Sequence, residues 1–345
     1  MTRRFSRALI TGINGQDGAW LAAKLLGEGV EVFGTHRPTS PAENWRLQEL
    51  GFSNHANLHT RALDPESLTA CRGLLSELEP HAIFHLGGQS RVADSFRDPI
   101  GSVRANGFST LNLLEAMRRH SPDAHFVLAS SAEIFGNAEQ APQDESTPTR
   151  ASSPYGLSKL LAHAAMGSWR ASYGLAASSA ILFNHESELR DEAFVTRKIT
   201  RSVARILLGK EQELALGNLE ARRDFGYAPE YMTALANMAD RESGDDFVLA
   251  TGHASSVREF ATAAFAAIGM PIDWQGRAAA EIARERSSGK IRVRVDTKLL
   301  RPVDAPLLVG NAAKARAQLG FNPQVDLIEL TRRMVEADLE RERRT

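Results

Sequence analysis

The sequence predicts an α/β protein, a doubly wound parallel sheet with a smaller, mixed α/β C-terminal domain. Three observations carry that prediction. Short apolar runs alternate with longer helical patterns through the first half, as right-handed βαβ crossovers require. Those runs are mostly continuous and apolar, as expected of strands that helices cover on both faces. The first run ends in a glycine-rich turn that opens the first helical pattern. Together they describe a Rossmann-type topology.

In chain order, strands are expected over 5–11, 30–36, 57–63, 82–88, 124–130 and 176–183. Helices are expected over 19–28, 67–78, 102–119 and 154–173. After about residue 185 the pattern turns irregular, with clusters of Arg and Glu. The expected division is therefore 1–185, with segments near 224–252 returning to it, and 186–345. The tail RRMVEADLERERR mixes both signs at helical spacing and reads as a solvated terminal helix.

Composition narrows the function. The 345 residues suit two domains of roughly 150 each. Lys plus Arg (41) nearly cancel Asp plus Glu (42), so no global basic field marks a nucleic-acid binder. A single cysteine, Cys71, excludes a disulfide framework and a multi-cysteine metal site. The ten histidines form no HExxH, so no metal site is expected. No uncharged apolar run reaches the roughly 18 residues of a membrane span. The MTRRFSR start has no apolar stretch behind it of the kind a secretory signal needs. The expectation is a cytoplasmic protein with neither nucleic acid nor membrane as partner.

The first strand runs into TGINGQDG, which places Gly12, Gly15 and Gly18 at the mouth of a helix. There a backbone can approach a pyrophosphate, and the helix terminus supplies N–H groups and a positive dipole end. The G-x-x-G-x-x-G spacing points to the short-chain dehydrogenase/reductase class. About 20 residues further on, an NAD site offers an acid to the ribose. Here stand Thr35, His36 and Arg37, which favours NADP over NAD. Asp64, after the third strand, is a candidate for holding the adenine and equally a strand-end cap.

Tyr155 and Lys159 lie four apart on one face of the 154–173 helix. An ammonium nearby stabilises tyrosinate, so the phenol can act as a base near neutral pH. The preceding strand ends in Ser130 and Ser131, at the edge where doubly wound folds place ligands. Ser131 can share a substrate oxygen with Tyr155. Glu133, two residues beyond, adds a carboxyl that simple oxidation does not need. It can take a proton from carbon beside a ketone and return it to a departing hydroxide. That combination points to dehydration.

These residues sit in stretches that resemble one family, the GDP-mannose 4,6-dehydratases, which are extended short-chain dehydrogenase/reductases. The matching stretches are GINGQDG (12–18), LGGQS (86–90), SSAEIFG (130–136), SPYGLSK (153–159), ILFNHES (181–187), FVTRKI (194–199), LGNLEARRDFGYA (216–228) and RPVD (301–304). The resemblance runs from about Ser6 to about Leu339. It implies a catalytic set of Ser131, Glu133, Tyr155 and Lys159. It implies cofactor contacts from Asn14, Gln16, Asp17, Ser40, Leu86, Gly87, Gln89, His185 and Arg190, beside the glycines, Arg37 and Asp64. Ser90, Asn184, Glu186, Lys198, Arg223, Arg301 and Asp304 fall on positions that hold the nucleotide-sugar. An NADP-binding first domain, a nucleotide-sugar-binding second domain and a homodimer or homotetramer follow as expectations.

The chain also departs from the family. Pro38, Thr39 and Ser40 replace a second Arg and two serines. Leu189 replaces an Arg, Asp191 and Glu192 add negative charge, and Gly101 and Ser152 stand for a Tyr and an Arg. The leading expectation is conversion of GDP-mannose to its 4-keto-6-deoxy sugar with internal hydride recycling. A related GDP-sugar such as GDP-manno-heptose, a GDP-sugar 4-reductase or epimerase, and a non-catalytic NADP-binding regulator are the competing readings. The complete catalytic set argues against the last.

Overall fold

The computed structural model describes residues 3–40, 44–300 and 307–344. The chain divides into two compact units. The first comprises Met1–Phe183, Ala228–Leu249 and Gly310–Asn322, and the second Asn184–Tyr227, Ala250–Val309 and Pro323–Thr345.

Seven parallel strands form the sheet of the first unit. Their order is Asp246–Leu249, Ala177–Leu182, His125–Ala129, Ala82–His85, Arg7–Thr11, Glu31–His36 and Leu58–Ala62. The chain moves outward on one side of Arg7–Thr11 and then restarts on the other. That switch point is where doubly wound sheets bind ligands. The strands Ala82–His85, His125–Ala129 and Ala177–Leu182 are buried at every position. Leu9, Ile83, Phe126 and Leu128 of the sheet pack with Leu74, Leu75, Leu113, Met117 and Met166 of the covering helices. Continuous apolar strands reflect this burial on both faces.

Two expected helices differ in the structure. The first begins at Gln16, because the glycine turn is already part of its opening. The helix expected over 102–119 is three pieces: Pro99–Val103, a wider π turn at Arg104–Phe108, and Ser109–His120. Asp98 starts the first piece by accepting from the Gly101 N–H at 2.8 Å. The helix Pro154–Tyr173 falls where expected, with the Ser153 hydroxyl capping the Gly156 N–H at 3.0 Å.

Residues 310–322 were expected in the second unit and instead return to the first. Phe321 meets Tyr231 edge-on at 5.2 Å, and Asn237 Nδ2 donates to the Leu319 carbonyl at 3.0 Å. Lys314 pairs with Asp245 at 2.8 Å. The segment is too short for its buried Ala312, Ala315, Leu319 and Phe321 to show a period in sequence.

The second unit holds a four-stranded sheet in the order Ile272–Gln275, Ile282–Glu285, Ile291–Val295 and Leu214–Leu216. Two smaller sheets join Ala254–Ser256, Arg222–Asp224 and Leu307–Leu308, and separately Gly226–Tyr227 with His185–Glu186. The helices Val195–Leu207, Val257–Ala267 and Leu327–Arg344 supply most of its core. The terminal helix is therefore not simply a solvated one. Leu330, Met334 and Val335 are fully buried, while Arg332 and Arg333 pair with Glu329 on the outer side. The charges outnumber this apolar stripe in the sequence. No helix among the described residues is long and apolar enough to cross a membrane. Met334→Ala should cost about 2–5 kcal/mol, read as a lower urea midpoint; an unchanged midpoint would mean the helix is peripheral.

Candidate active site

The strand Arg7–Thr11 ends in Gly12 at φ 76°. A β-carbon there would lie 2.7 Å from the Gly87 backbone, closer than side chains tolerate. A β-carbon on Gly18 would lie 2.3 Å from the Gly12 carbonyl oxygen. The helix Gln16–Gly27 thus packs directly on the turn, and no side chain caps its N-terminus. Gln16 is buried and donates to Asp17 Oδ1 at 2.9 Å, while Asn14 sits half-buried in the turn. A bare helix end behind glycine backbone fits a pyrophosphate. Exposed Arg37 follows the second strand, and Ser40 closes a turn onto the Arg37 carbonyl at 2.9 Å. Asp64 is exposed and accepts from the Glu66 N–H at 3.0 Å, so it caps its own turn.

The residues expected to react meet at the ends of the central strands. Ser131 leaves the strand His125–Ala129 and accepts from the Glu133 N–H at 3.2 Å. Tyr155, 8% exposed, lies in the first turn of its helix. A β-carbon on Gly156 would lie 2.6 Å from the Glu133 carbonyl oxygen. Glycine therefore lets the Ser131–Glu133 turn press against the tyrosine helix. Lys159 is buried, donates to the Ala129 carbonyl at 2.8 Å, and lies 6.0 Å from the Tyr155 ring centroid. Burial lowers its ammonium to about 8, with Asp17 pulling upward.

A polar chain that sequence reasoning missed fixes the 86–90 loop. Burial keeps His85 neutral, lowered to about 3, with Lys159 acting in the same direction. Ser109 donates to the Ala105 carbonyl and so accepts from His85 Nε2 at 3.1 Å. The other ring nitrogen then accepts from Thr11, 2.7 Å away, whose oxygen accepts from the Gly87 N–H at 3.1 Å. Asn106, in the π turn, accepts from the Gln89 N–H and donates to the Gln89 carbonyl, each at 3.0 Å. It also donates to Ser158 at 2.8 Å. A buried-polar reading of Thr11, His85 and Asn106 needs the three-dimensional neighbours, and no motif spacing announces it. Gln89 Oε1 and Ser130 Oγ are buried without a protein partner among the described residues, as expected where a ligand completes the set. Leu86 is half-buried and Ser90 exposed at this loop. No group of three or more His, Cys, Asp or Glu able to hold a metal occurs among the described residues.

The second unit carries the remaining predicted residues. Asn184 accepts the Gly226 N–H through its carbonyl at 2.8 Å, and His185 is buried in the short strand beside it. Glu186, expected to touch substrate, is 1% exposed and engaged within this unit. Its Oε2 accepts from Thr196 at 2.6 Å and lies 3.0 Å from Arg190 Nε. It orients Arg190, whose guanidinium also stacks 3.6 Å over Phe194. Lys198 donates to the Ala215 carbonyl at 2.6 Å, and burial lowers its ammonium. Arg223 is buried and donates to the Arg222 carbonyl at 2.9 Å. Arg301 and Asp304 lie outside the described residues.

The glycine turn, the parallel sheet and the Ser131, Tyr155 and Lys159 set define a short-chain dehydrogenase/reductase of the extended, nucleotide-sugar type. A family model for GDP-mannose 4,6 dehydratase matches residues 9–334. The chain belongs to that family. The GDP-mannose 4,6-dehydratase of Sordaria araneosa is 42% identical over 341 residues, 98% of this chain; the chain spans 62% of that relative's length. The enzyme of that name from Sinorhizobium fredii is 41% identical over 337 residues, 96% of each chain. Among solved structures, RMD from Pseudomonas aeruginosa complexed with NADPH aligns with a TM-score of 0.76 at 21% identity. That alignment covers 97% of this chain and 99% of the other.

The Lys159 shift has a stability consequence. A folded value of about 8 lies below that of an unfolded lysine, so the charged form opposes folding. Its cost is full below about pH 8 and fades as pH rises toward about 10.4. Cofactor-free protein should gain stability over that window relative to Lys159→Met, read as the difference in urea midpoint. A lysine NMR titration with its midpoint above 10 would contradict the shift.

Proposed function

We propose that this protein converts GDP-mannose to GDP-4-keto-6-deoxy-mannose with loss of water and no net redox change. The carrying observation is the Glu133 turn pressed against the Tyr155 helix through Gly156. It supports one carboxyl and one phenol serving the same sugar. NADP is the cofactor this reading requires, held by the turn at Gly12, Asn14, Gly15, Gln16, Asp17 and Gly18 and by Arg37. Ser40, Leu86, Gly87, Gln89, His185 and Arg190 complete its contacts. Asp64, occupied by its own turn, is retained only as an adenine contact through its second oxygen. When bound, NADP+ supplies a reversible hydride acceptor.

Tyr155 takes the proton of the C4 hydroxyl, with Ser131 bonded to the same oxygen. The Lys159 ammonium stabilises the phenolate that makes this possible. The resulting ketone acidifies the hydrogen on C5. Glu133 removes that proton and delivers it to the hydroxide leaving C6, which departs as water. The hydride given up at C4 would return to C6, and the proton held by Tyr155 closes the balance at C5. Asn184, Lys198 and Arg223, with Ser90, Arg301 and Asp304, hold the nucleotide-sugar. Guanidinium and ammonium groups suit its diphosphate.

A specific observation favours a second substrate. Leu189 is 1% exposed, so a buried apolar side chain stands where the family has an Arg. Asp191 caps its own turn and Glu192 pairs with Arg201, leaving this loop less basic. The same reaction on GDP-manno-heptose follows from that change. Incubation with each GDP-sugar decides the matter, the expected product being lighter by one water with only catalytic NADP+. Glu133→Gln should slow water loss by about 10²–10⁴-fold while still allowing transient cofactor reduction. Tyr155→Phe should block even that. Stoichiometric NADPH turnover would move the assignment to a reductase, and near-normal dehydration by Glu133→Gln would sink the mechanism.

The reading includes a cytoplasmic homo-oligomer. Ile100, Phe108 and Leu157 are 64%, 51% and 56% exposed on neighbouring helices, with Phe96 and Leu161 beside them. Such a cluster exceeds scattered surface apolars, and a second copy about a two-fold axis would cover it. Leu157→Glu should shift sedimentation toward the monomer; an unchanged oligomer would place the interface elsewhere.

A further inference from the structure

The terminal helix Leu327–Arg344 carries a buried carboxylate that the proposed reaction does not use. Asp338 is 1% exposed. Its Oδ1 lies 2.7 Å from Arg197 Nε and accepts from Arg341 at 3.1 Å, while Oδ2 accepts from Thr200 at 2.7 Å. Arg197, 4% exposed, points its other edge at the loop before its own helix. There one Nη1 donates to the carbonyls of Glu188 at 3.0 Å and Arg190 at 2.7 Å. The same loop is held a second time from the terminal helix. The Tyr227 hydroxyl donates to the Glu188 carboxylate at 3.3 Å, and the Arg333 guanidinium lies 5.0 Å from the Tyr227 ring centroid.

Stability alone is a weak reason for such a pair. Burial raises the Asp338 carboxyl and lowers the Arg197 guanidinium, each opposed by the partner. Well-packed apolar residues often replace a buried ion pair without loss. What they cannot replace is the planar guanidinium, which pairs with a carboxylate along one edge and donates to two carbonyls with the other. Both of those carbonyls flank Leu189, in the loop that presents Arg190. The Arg190 side chain is fixed separately by Glu186 at 3.0 Å and by Phe194. The backbone beneath it is fixed by Arg197.

We propose that Asp338 and Arg197 are positioning residues, through which the terminal helix sets the 188–190 backbone and so aims Arg190 at the cofactor. This rests on the reading of Arg190 as an NADP contact. The test is calorimetric titration of NADP+, and separately of GDP, into cofactor-stripped full-length protein. Asp338→Asn and Arg197→Lys should weaken NADP+ binding about tenfold, or 1.4 kcal/mol, while GDP binding stays within about twofold. A lysine ammonium can pair with Asp338 or reach the two carbonyls but not both at once, so Arg197→Lys decides the question if Asp338→Asn fails to fold. Combined with Arg190→Ala, either change should add little further loss, because coupled residues are not additive. Wild-type NADP+ affinity in the folded variants, a parallel fall in GDP affinity, or full additivity with Arg190→Ala would overturn the relay. Wild-type protein that binds no NADP+, or binds it equally well as Arg190→Ala, would overturn the cofactor reading itself and the proposal with it.

Discussion

A β-carbon on Gly18 would lie 2.3 Å from the Gly12 carbonyl oxygen, and one on Gly12 would lie 2.7 Å from the Gly87 backbone. This contact between three chain segments governs the first unit. It brings the end of the first strand, the start of the first helix and the loop after the Ala82–His85 strand to one place. With side chains at these positions, the helix end would stand off and its N–H groups would lose their common focus. The hydrogen-bond chain through Ser109, His85 and Thr11 then holds the Gly87 N–H against the same turn. Steric permission comes from glycine, and direction comes from the polar groups behind it.

The acid–base groups obey a related logic. Lys159 is buried against the Ala129 carbonyl, so its charge is expensive and its field is poorly screened. Both properties suit the role proposed for it, stabilising a nearby phenolate. His85, adjacent in electrostatic terms, stays neutral and adds no second cation. Asn106 ties the loop and the tyrosine helix together through Gln89 and Ser158. The π turn at Arg104–Phe108 is what places it, consistent with the tendency of such turns to occur at functional sites.

Much of this was legible in the sequence because it rests on local patterns. Two-sided burial made the central strands continuous apolar runs. The helical pattern over 154–173 bounded the tyrosine helix, and the glycine spacing marked the turn. The illegible parts depend on partners distant in the chain. The break at Arg104–Phe108 follows from contacts with residues 89 and 158. The burial of Glu186 beside Thr196 and Arg190 depends on the fold and could not be read from its motif. The terminal helix hid a short apolar stripe among many charges. Asp338 could be seen as a charge, but its burial could not.

The return of residues 310–322 to the first unit bears on how the molecule is made. A ribosome releases the chain from its N-terminus, and domains usually consolidate as they emerge. Here the sheet can begin to assemble early, yet Tyr231 waits for Phe321 and Asp245 waits for Lys314. The first unit is therefore not finished until nearly all of the chain is out, despite supplying the N-terminus. During that interval the surface later covered by Leu319 and Phe321 stands open to solvent, a natural target for chaperones during translation. A premature stop before residue 310 would leave both units incomplete, the second lacking its terminal helix and the first its final cover.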